Sequence, residues 1–396
     1  MHTATYGPAT EADYPALGRL IALAFASPLD GAVAWISNQG PAGLRVMRDP
    51  AGSPVACLRR IDMGQYFGGV SVPMTGIAGV AVAPEARGRG LALDMMRRCL
   101  RDAADAGEAL SCLYASTQTL YRQVGYEQAG HRWTIRIAMA HLDIRCRARS
   151  VTHLPPKETV QVRDCYGAFA RRFDGMLDRP AYIWDRIAAW RDKHYDGWAL
   201  TDAGRVAAYC FMRQVAKETG RQTLELSDLA FDSHGSMLAL LGFLADFASM
   251  ADEIVFHAGP IHPVLMAVSQ QRYNVTLKEP WLLRIVRPDV ALARRGYRPG
   301  LDTEFAIDLA DDTIPGNSGR YRVRIRDGRA EVERSAAGAG GPALRCGPRG
   351  LAALFTGYLS PEALSLCGLV EGDTAALARA GAAFAAGSPP WMTDFF

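Results

Sequence analysis

Two kinds of hydrophobic pattern alternate along this chain. The apolar stretches Val55 to Ile61 and Met74 to Val82 read as strands, the second ending where the chain turns at Pro84. From Arg87 to Ala106 the period changes. Leu91, Met95, Cys99, Leu100 and Ala103 recur at three- and four-residue steps, which line one face of a helix. Ala109 to Ala115 then predicts a short strand, Gln118 to Gln123 a short helix, and Tyr126 to Ala140 a long strand. Ahead of them, Thr10 followed by Glu11 and Asp13 suits a helix start, because a hydroxyl and first-turn acids complement exposed N–H groups. The order is strand, Gly-rich turn, helix, strand, short helix, strand, and it closes a first domain over residues 1–148.

The same order returns after Pro155-Pro156, over residues 149–290. Tyr182 to Trp190 predicts a helix with Ile183 and Ile187 on one side. Strands from Arg205 to Arg213 and Leu224 to Phe231 precede a helix from Ser236 to Met250 and a strand from Glu253 to His257. This reads as a diverged internal repeat. Its turn, Asp232-Ser233-His234-Gly235, lacks the basic, Gly-rich character of the first copy and is not expected to hold a pyrophosphate. Arg294 to Gly300 reads as a connection to a third unit, residues 291–396. There Tyr321, Val323 and Ile325 alternate with arginines up to Asp327-Gly328, and Ala330 and Val332 resume the alternation. That is a hairpin, since Asp-Gly accepts the positive φ angles of a type I′ turn. Ala336 to Gly341 reads as a loop, and Leu351 to Leu359 and Asp373 to Ala386 as helices. The end, Trp391-Met392-Thr393-Asp394-Phe395-Phe396, is too apolar for a frayed tail and is expected to dock. The fold class is α/β (α+β).

Length and composition change this picture little. A chain of 396 residues predicts two or three domains. A net charge of +3 gives no argument for nucleic acid or a membrane surface. The eight cysteines include no CxxC pair, which favours reduced thiols in a cytoplasmic protein. Met1 to Asp13 shows no signal-peptide pattern, and no apolar run approaches the roughly 18 residues of a membrane span. His257 and His262, five apart with a proline between them, do not have metal-ligand spacing, and no metal is expected. Cys112, on an apolar strand, reads as core. Trp184, Trp190 and Trp198 read as interdomain packing or as a substrate wall.

Candidate chemistry gathers at the first Gly-rich turn. Arg87 and Arg89 lie where a helix macrodipole disfavours cations, and Gly88 and Gly90 let the backbone approach a partner. Either this is a solvated basic turn, or a diphosphate sits at the helix N-terminus. Neither GxGxxG nor a GK[ST] ending is present, so dinucleotide-binding and P-loop readings lack support.

The run Arg87-Gly88-Arg89-Gly90-Leu91-Ala92 resembles the cofactor motif Arg/Gln-x-x-Gly-x-Gly/Ala of the GCN5-related N-acetyltransferases, and Val80-Ala81-Val82 resembles the strand that carries the pantetheine arm there. The resemblance implies acetyl-CoA as co-substrate, held by Val80, Ala81, Val82, Arg87, Gly88, Arg89, Gly90, Leu91, Ala92 and Leu93. Ser116 and Thr117 would line the thioester end. Tyr121-Arg122-Gln123-Val124-Gly125-Tyr126 resembles the Tyr-x-x-x-Gly-Phe/Tyr segment, in which the first tyrosine is the general acid for the leaving thiolate. A phenol can serve so when both groups are held out of water; the alternative is that Tyr121 is a core aromatic.

Over the whole chain, an N-terminal acetyltransferase unit, a degenerate central copy and a sterol-carrier-like C-terminal unit resemble the Eis (enhanced intracellular survival) family. Ala115-Ser116 before Tyr121, Trp35 after an N-terminal helix and an aromatic final residue carry that likeness. It implies the Phe396 terminal carboxylate as general base, Trp35 and Asp394 at the substrate, and a homohexamer. The alternative for the tail is packing alone. Members of that family acetylate aminoglycosides in acidic pockets. Here Ala24 to Pro28 carries no acid and Phe395 stands where an acid is expected, leaving Asp30 and Asp394. The acceptor expected is a primary amine of a small molecule, aminoglycoside-like or, given the missing acids, less charged, or a lysine; an acyl donor other than acetyl is the alternative. A non-catalytic CoA- or lipid-binding protein is the competing class.

Overall fold

The computed structural model describes residues 4–144, 146, 151–155, 159–336, 338 and 341–396. The boundary expected at 148, Pro156, half of the Ala336–Gly341 loop and Met1 to Thr3 lie outside the described residues.

The first stretch runs β1 (Thr5–Pro8), α1 (Tyr14–Phe25), α2 (Leu29–Ser37), β2 (Leu44–Arg48), β3 (Pro54–Phe67), β4 (Val70–Val82), α3 (Leu91–Asp105), β5 (Leu110–Tyr114), α4 (Gln118–Arg122) and β6 (Glu127–Ala138). Before α1, the Asp13 carboxylate accepts from the Thr10 N–H at 2.7 Å and its hydroxyl at 3.0 Å, so the chain starts its helical turns at the Thr and acids expected to do so. The helix expected from Arg87 begins only at Leu91, because Gly88 and Gly90 are left-handed, at φ 74° and 75°. Trp35 lies within α2, a second helix that the sequence reading did not separate.

The second stretch runs β7 (Val151–Leu154), α5 (Arg163–Ala170), β8 (Leu177–Asp178), α6 (Ala181–Ala188), the small hairpin β9 (Ala189–Trp190) and β10 (Lys193–His194), β11 (Asp196–Asp202), β12 (Arg205–Ala216), β13 (Gln222–Phe231), α7 (His234–Ala245), β14 (Ala251–Ala258), α8 (Val264–Ala267) and β15 (Tyr273–Ile285). The third has α9 (Pro288–Arg294), β16 (Thr303–Leu309), β17 (Gly319–Arg326), β18 (Arg329–Ser335), β19 (Leu344–Cys346), α10 (Pro348–Thr356), α11 (Pro361–Leu366), β20 (Val370–Glu371) and α12 (Thr374–Phe384). Its sheet has the order β18-β17-β16-β19-β20. Asp327 and Gly328 both have positive φ, 49° and 75°, and join β17 to β18 as the expected tight hairpin.

The first two stretches share one sheet, ordered β1-β2-β3-β4-β5-β15-β6-β14-β13-β12-β11-β7, with β8 on β3. Strands are exchanged across the middle. β15 lies between β5 and β6, pairing Ile285 with Leu110 and Tyr273 with Ile137. β6 in turn pairs with β14, Ala138 against Glu253. The sequence reading did not identify β15. Lys278-Glu279-Pro280 interrupts its apolar pattern, and Pro280 is accommodated beside a bulge at Leu277/Glu279. The exchange makes the two halves one continuous sheet, with Ile135, Ile137, Ile254 and Phe256 in a common core. A second core joins β4 and β5 to the third unit through Met74, Cys112, Phe305, Phe355 and Phe384. The eight cysteines are free.

Candidate active site

The parallel strands β4 and β5 pair only from Met74↔Leu110 to Ile77↔Leu113. Beyond Ile77, β4 runs on to Val82 without a β5 partner, so the two strands splay apart and the β5-facing backbone of Ala78–Val82 is left without a ladder. Unpaired strand backbone is a template for another extended chain. Gly79, at φ 60°, forms a bulge there, and a Cβ on it would meet the Trp35 ring at 2.5 Å. Glycine at this bulge is what lets the Trp35 ring pack against β4.

At the wide end of the splay, α3 starts with Gly90 as a left-handed N-cap and no side-chain cap. Nothing lies within 4 Å of a Cβ built on Gly88 or Gly90. The first N–H groups of α3 face open space at the positive end of a 15-residue helix. Alternating glycine-permitted conformations before a helix form a concave nest of N–H groups, which fits a diphosphate. Arg87 and Arg89 are exposed beside it, with Arg87 Nε 3.4 Å from the Val82 carbonyl.

Tyr121, on α4, is 5% exposed and stacks edge-on to Tyr126 at 6.0 Å. Burial pushes its phenol up to about 12. Tyr126 is committed elsewhere, with its hydroxyl 2.7 Å from that of Ser111. Ser116 and Thr117 are exposed on the turn before α4.

The C-terminal tail reaches this splay across β6 and β5. Trp391 forms a bridge to His131 and donates its N–H to Asp174. Arg132 Nε donates to the Thr393 carbonyl at 2.9 Å, and Tyr114 OH donates to the Asp394 carbonyl at 2.7 Å. The Phe396 ring ends against Gly76 of β4, 2.9 Å from a Cβ built there, and edge-on to Tyr114 at 5.7 Å. The expected docking of the tail is therefore observed, and it brings the terminus to the floor of the β4–β5 opening.

Asp394 corrects an expectation. Its side chain does not face the opening but is fully enclosed with Arg179, Nε to Oδ2 at 3.0 Å. Arg179 also grips Asp228 through both guanidinium arms, at 2.7 and 2.9 Å. Burial raises the Asp394 carboxyl although Arg179 opposes it. Asp394 anchors the tail.

Trp35 does face the opening. Its Nε1 donates to the Tyr182 hydroxyl at 3.1 Å, and Arg186 Nη1 donates to the same oxygen at 2.7 Å. Tyr182 and Arg186 stand four apart on α6, hence on one face. Trp190 and Phe395 continue the aromatic wall, 6.1 Å apart. Neither Tyr182 nor Arg186 nor Tyr114 was singled out from the sequence. The Tyr/Arg pair at helical spacing, on the face beside Ile183 and Ile187, was the available signal.

His257 is half-buried and His262 buried, and both are held down to about 3, chiefly by desolvation. Among the described residues no group of three or more His, Cys, Asp or Glu could hold a metal. No helix among them is long and apolar enough to cross a membrane.

A splayed parallel strand pair, a bulge, and an uncapped helix with a glycine nest define an acyl-CoA-dependent acyltransferase site. Comparison with known families agrees. Acetyltransferase (GNAT) domain models match residues 5–129 and 175–285, and a sterol carrier protein domain model matches residues 288–393. The chain is an N-acetyltransferase built of two GNAT domains followed by a sterol carrier protein domain, and it is similar over most of its length to Eis-type enzymes. It is 28% identical to the N-acetyltransferase Eis of Mycobacterium tuberculosis over 83% of this chain and 84% of that one. An uncharacterized N-acetyltransferase of Streptomyces avermitilis is also 28% identical, over 83% of each. The crystal structure of a GCN5-related N-acetyltransferase from Anabaena variabilis superimposes with a TM-score of 0.93 at 28% identity, covering 100% of both chains. Eis1 from Mycobacterium abscessus, at 21% identity and a TM-score of 0.81, shares the fold.

Proposed function

We propose that the enzyme moves an acetyl group from acetyl-CoA to a primary amine of a small molecule, with Tyr121 as general acid and the Phe396 carboxylate as general base. The observation that carries this reading is the course of the tail. Four backbone and side-chain anchors, at His131, Arg132, Tyr114 and Arg179, hold the last residues so that Phe396 ends beside Gly76. A tail serving stability alone would be held as well by its Trp391 plug, without the further run to β4.

In this reading the nest of Gly88 and Gly90, with Arg87 and Arg89, holds the diphosphate, and Leu91, Ala92 and Leu93 form the first turn beneath it. The free backbone of Val80, Ala81 and Val82 pairs the pantetheine arm, and Ser116 and Thr117 border the thioester. The Phe396 carboxylate takes a proton from the ammonium, directly or through water, and the freed amine attacks the thioester carbonyl. A free α-carboxylate is a weak base, with an ordinary pKa of about 3.5, so its enclosure matters. Backbone N–H groups of the β4 bulge stabilise the oxyanion. Tyr121 keeps its proton at neutral pH and gives it to the departing sulfur, whose basicity the same dry surroundings raise. The reading extends to domain limits near 148 and 290, a homohexamer and a cytoplasmic location.

Free-thiol release from acetyl-CoA against a panel of amines tests it, comparing the full chain with one lacking Phe396. Release that drops by about a hundredfold on truncation, at unchanged acetyl-CoA affinity, supports the base. Equal release from both chains removes Phe396 from the mechanism.

A further inference from the structure

The acceptor side of the opening carries arginines that form no ion pair with a carboxylate among the described residues. Arg186 is half-buried on α6, and among the described residues it forms no ion pair, with the Phe396 terminus or with any side-chain acid. Its hydrogen bond is to the Tyr182 hydroxyl, which uses one of five donors. The acid nearest in its field, Asp394, is already spent on Arg179 at 3.0 Å. Its guanidinium lies over the rings of Tyr182 and Trp190, 5.0 Å from each.

A second arginine without an ion pair among the described residues packs on Trp35. Arg59 is 2% exposed, 5.3 Å over the Trp35 ring, and bonded through its arms to the carbonyls of Ile36 and Gly40. Its Nε is buried without a hydrogen-bond partner. Burial presses both guanidinium groups down in pKa, because a charge without a counter-ion is costly in low dielectric. Asp30, one of the acids the sequence reading kept for a cationic substrate, is exposed at the first turn of α2.

We infer that the acceptor is a primary amine whose own skeleton carries a carboxylate and an apolar or aromatic body, of the amino-acid type, with Arg186 binding the carboxylate. This rests on the acetyltransferase reading above and names its substrate class. The free donors of Arg186 match a carboxylate in a forked pair. Trp35, Tyr182, Trp190 and Phe395 form the wall against which the body lies. An incoming carboxylate also supplies the counter-charge that the two arginines lack. A polycation meets two uncompensated positive charges there instead. The substrate's amine is left to the Phe396 end of the opening.

The test uses matched acceptors: phenylalanine, tyrosine and 4-aminobutyrate, each against its carboxamide, with spermidine as the polycation. Acetyl transfer is followed by thiol release for the full-length enzyme and for Arg186→Gln and Arg186→Lys. The expected result is a higher kcat/KM for the carboxylate member of at least one pair. That preference falls by about tenfold to a hundredfold in Arg186→Gln, through KM, and is partly kept in Arg186→Lys. Binding of the same pairs to unaltered enzyme, read by quenching of tryptophan fluorescence, decides the matter if a variant does not fold. Preference for the carboxamides or spermidine, or a ratio unmoved in Arg186→Gln, overturns the carboxylate assignment and leaves the transferase intact. No thiol release with any acceptor, despite acetyl-CoA binding, overturns the transferase reading itself.

Discussion

The two acetyltransferase halves share a topology and put it to opposite uses. In each, parallel strands pair at one end and then separate: β4 from β5 after Ile77, and β13 from β14 after Glu225. The first separation is open along Ala78–Val82 and ends at an uncapped helix. The second is filled. Asp228 points into it and holds Arg179 and the Tyr209 hydroxyl, and Phe231, Phe256 and His262 close around Trp391. Its helix, α7, satisfies its own N-terminus, since Ser233 accepts from the Ser236 N–H at 3.3 Å and donates its own to Ser236 Oγ at 3.0 Å. A cleft in this fold becomes a site only where the chain withholds its own side chains. The filled copy still has work to do, for it grips the tail that completes the open one.

Breaking the open half should have the largest effect. Tyr121→Phe is expected to lower kcat by about 10²–10⁴-fold while acetyl-CoA binding persists. The same residue fixes a pH expectation. Because burial raises the phenol to about 12, it stays protonated through the usual assay range, and its loss of the proton lowers kcat only as pH climbs past about 11. A descending limb near pH 10 that Tyr121→Phe abolishes would show an unshifted phenol and a wetter site.

Breaking the filled half should cost stability. Trp391 is fully buried against Gly259, Phe173 and His262, so Trp391→Ala is expected to lose about 3–5 kcal/mol in denaturant unfolding. A loss under about 1 kcal/mol would mean the second cleft collapses without its plug.

The two helix starts sharpen the contrast at lower amplitude. A Cβ at Gly90 meets no neighbour, so Gly90→Ala strains only the left-handed backbone, by about 1–2 kcal/mol, and should weaken acetyl-CoA binding about tenfold in calorimetry. Ser233→Ala should cost about 1 kcal/mol of stability and leave acetyl-CoA binding unchanged. An affinity change from Ser233→Ala instead would place a ligand at the second helix too.

The local pattern alone determined much of this protein. Periodicity located α3 and most strands, Asp327-Gly328 fixed its hairpin, and Arg87 to Ala92 marked the nest, because each depends on neighbours a few residues away. The lack of a basic, Gly-rich turn at Asp232 to Gly235 was legible for the same reason. Tertiary structure decided what comes from distant segments. β15 pairs with strands more than 130 residues upstream, which no local pattern announces and which Pro280 disguises. Asp394 looked like a substrate contact until burial assigned it to Arg179. Arg186 acquires meaning only from its lack of an ion pair among the described residues, and Phe396 only from a path that ends on Gly76. Periodicity reports which face of an element is buried, whereas the surroundings of a side chain are set by packing between elements that the sequence keeps far apart.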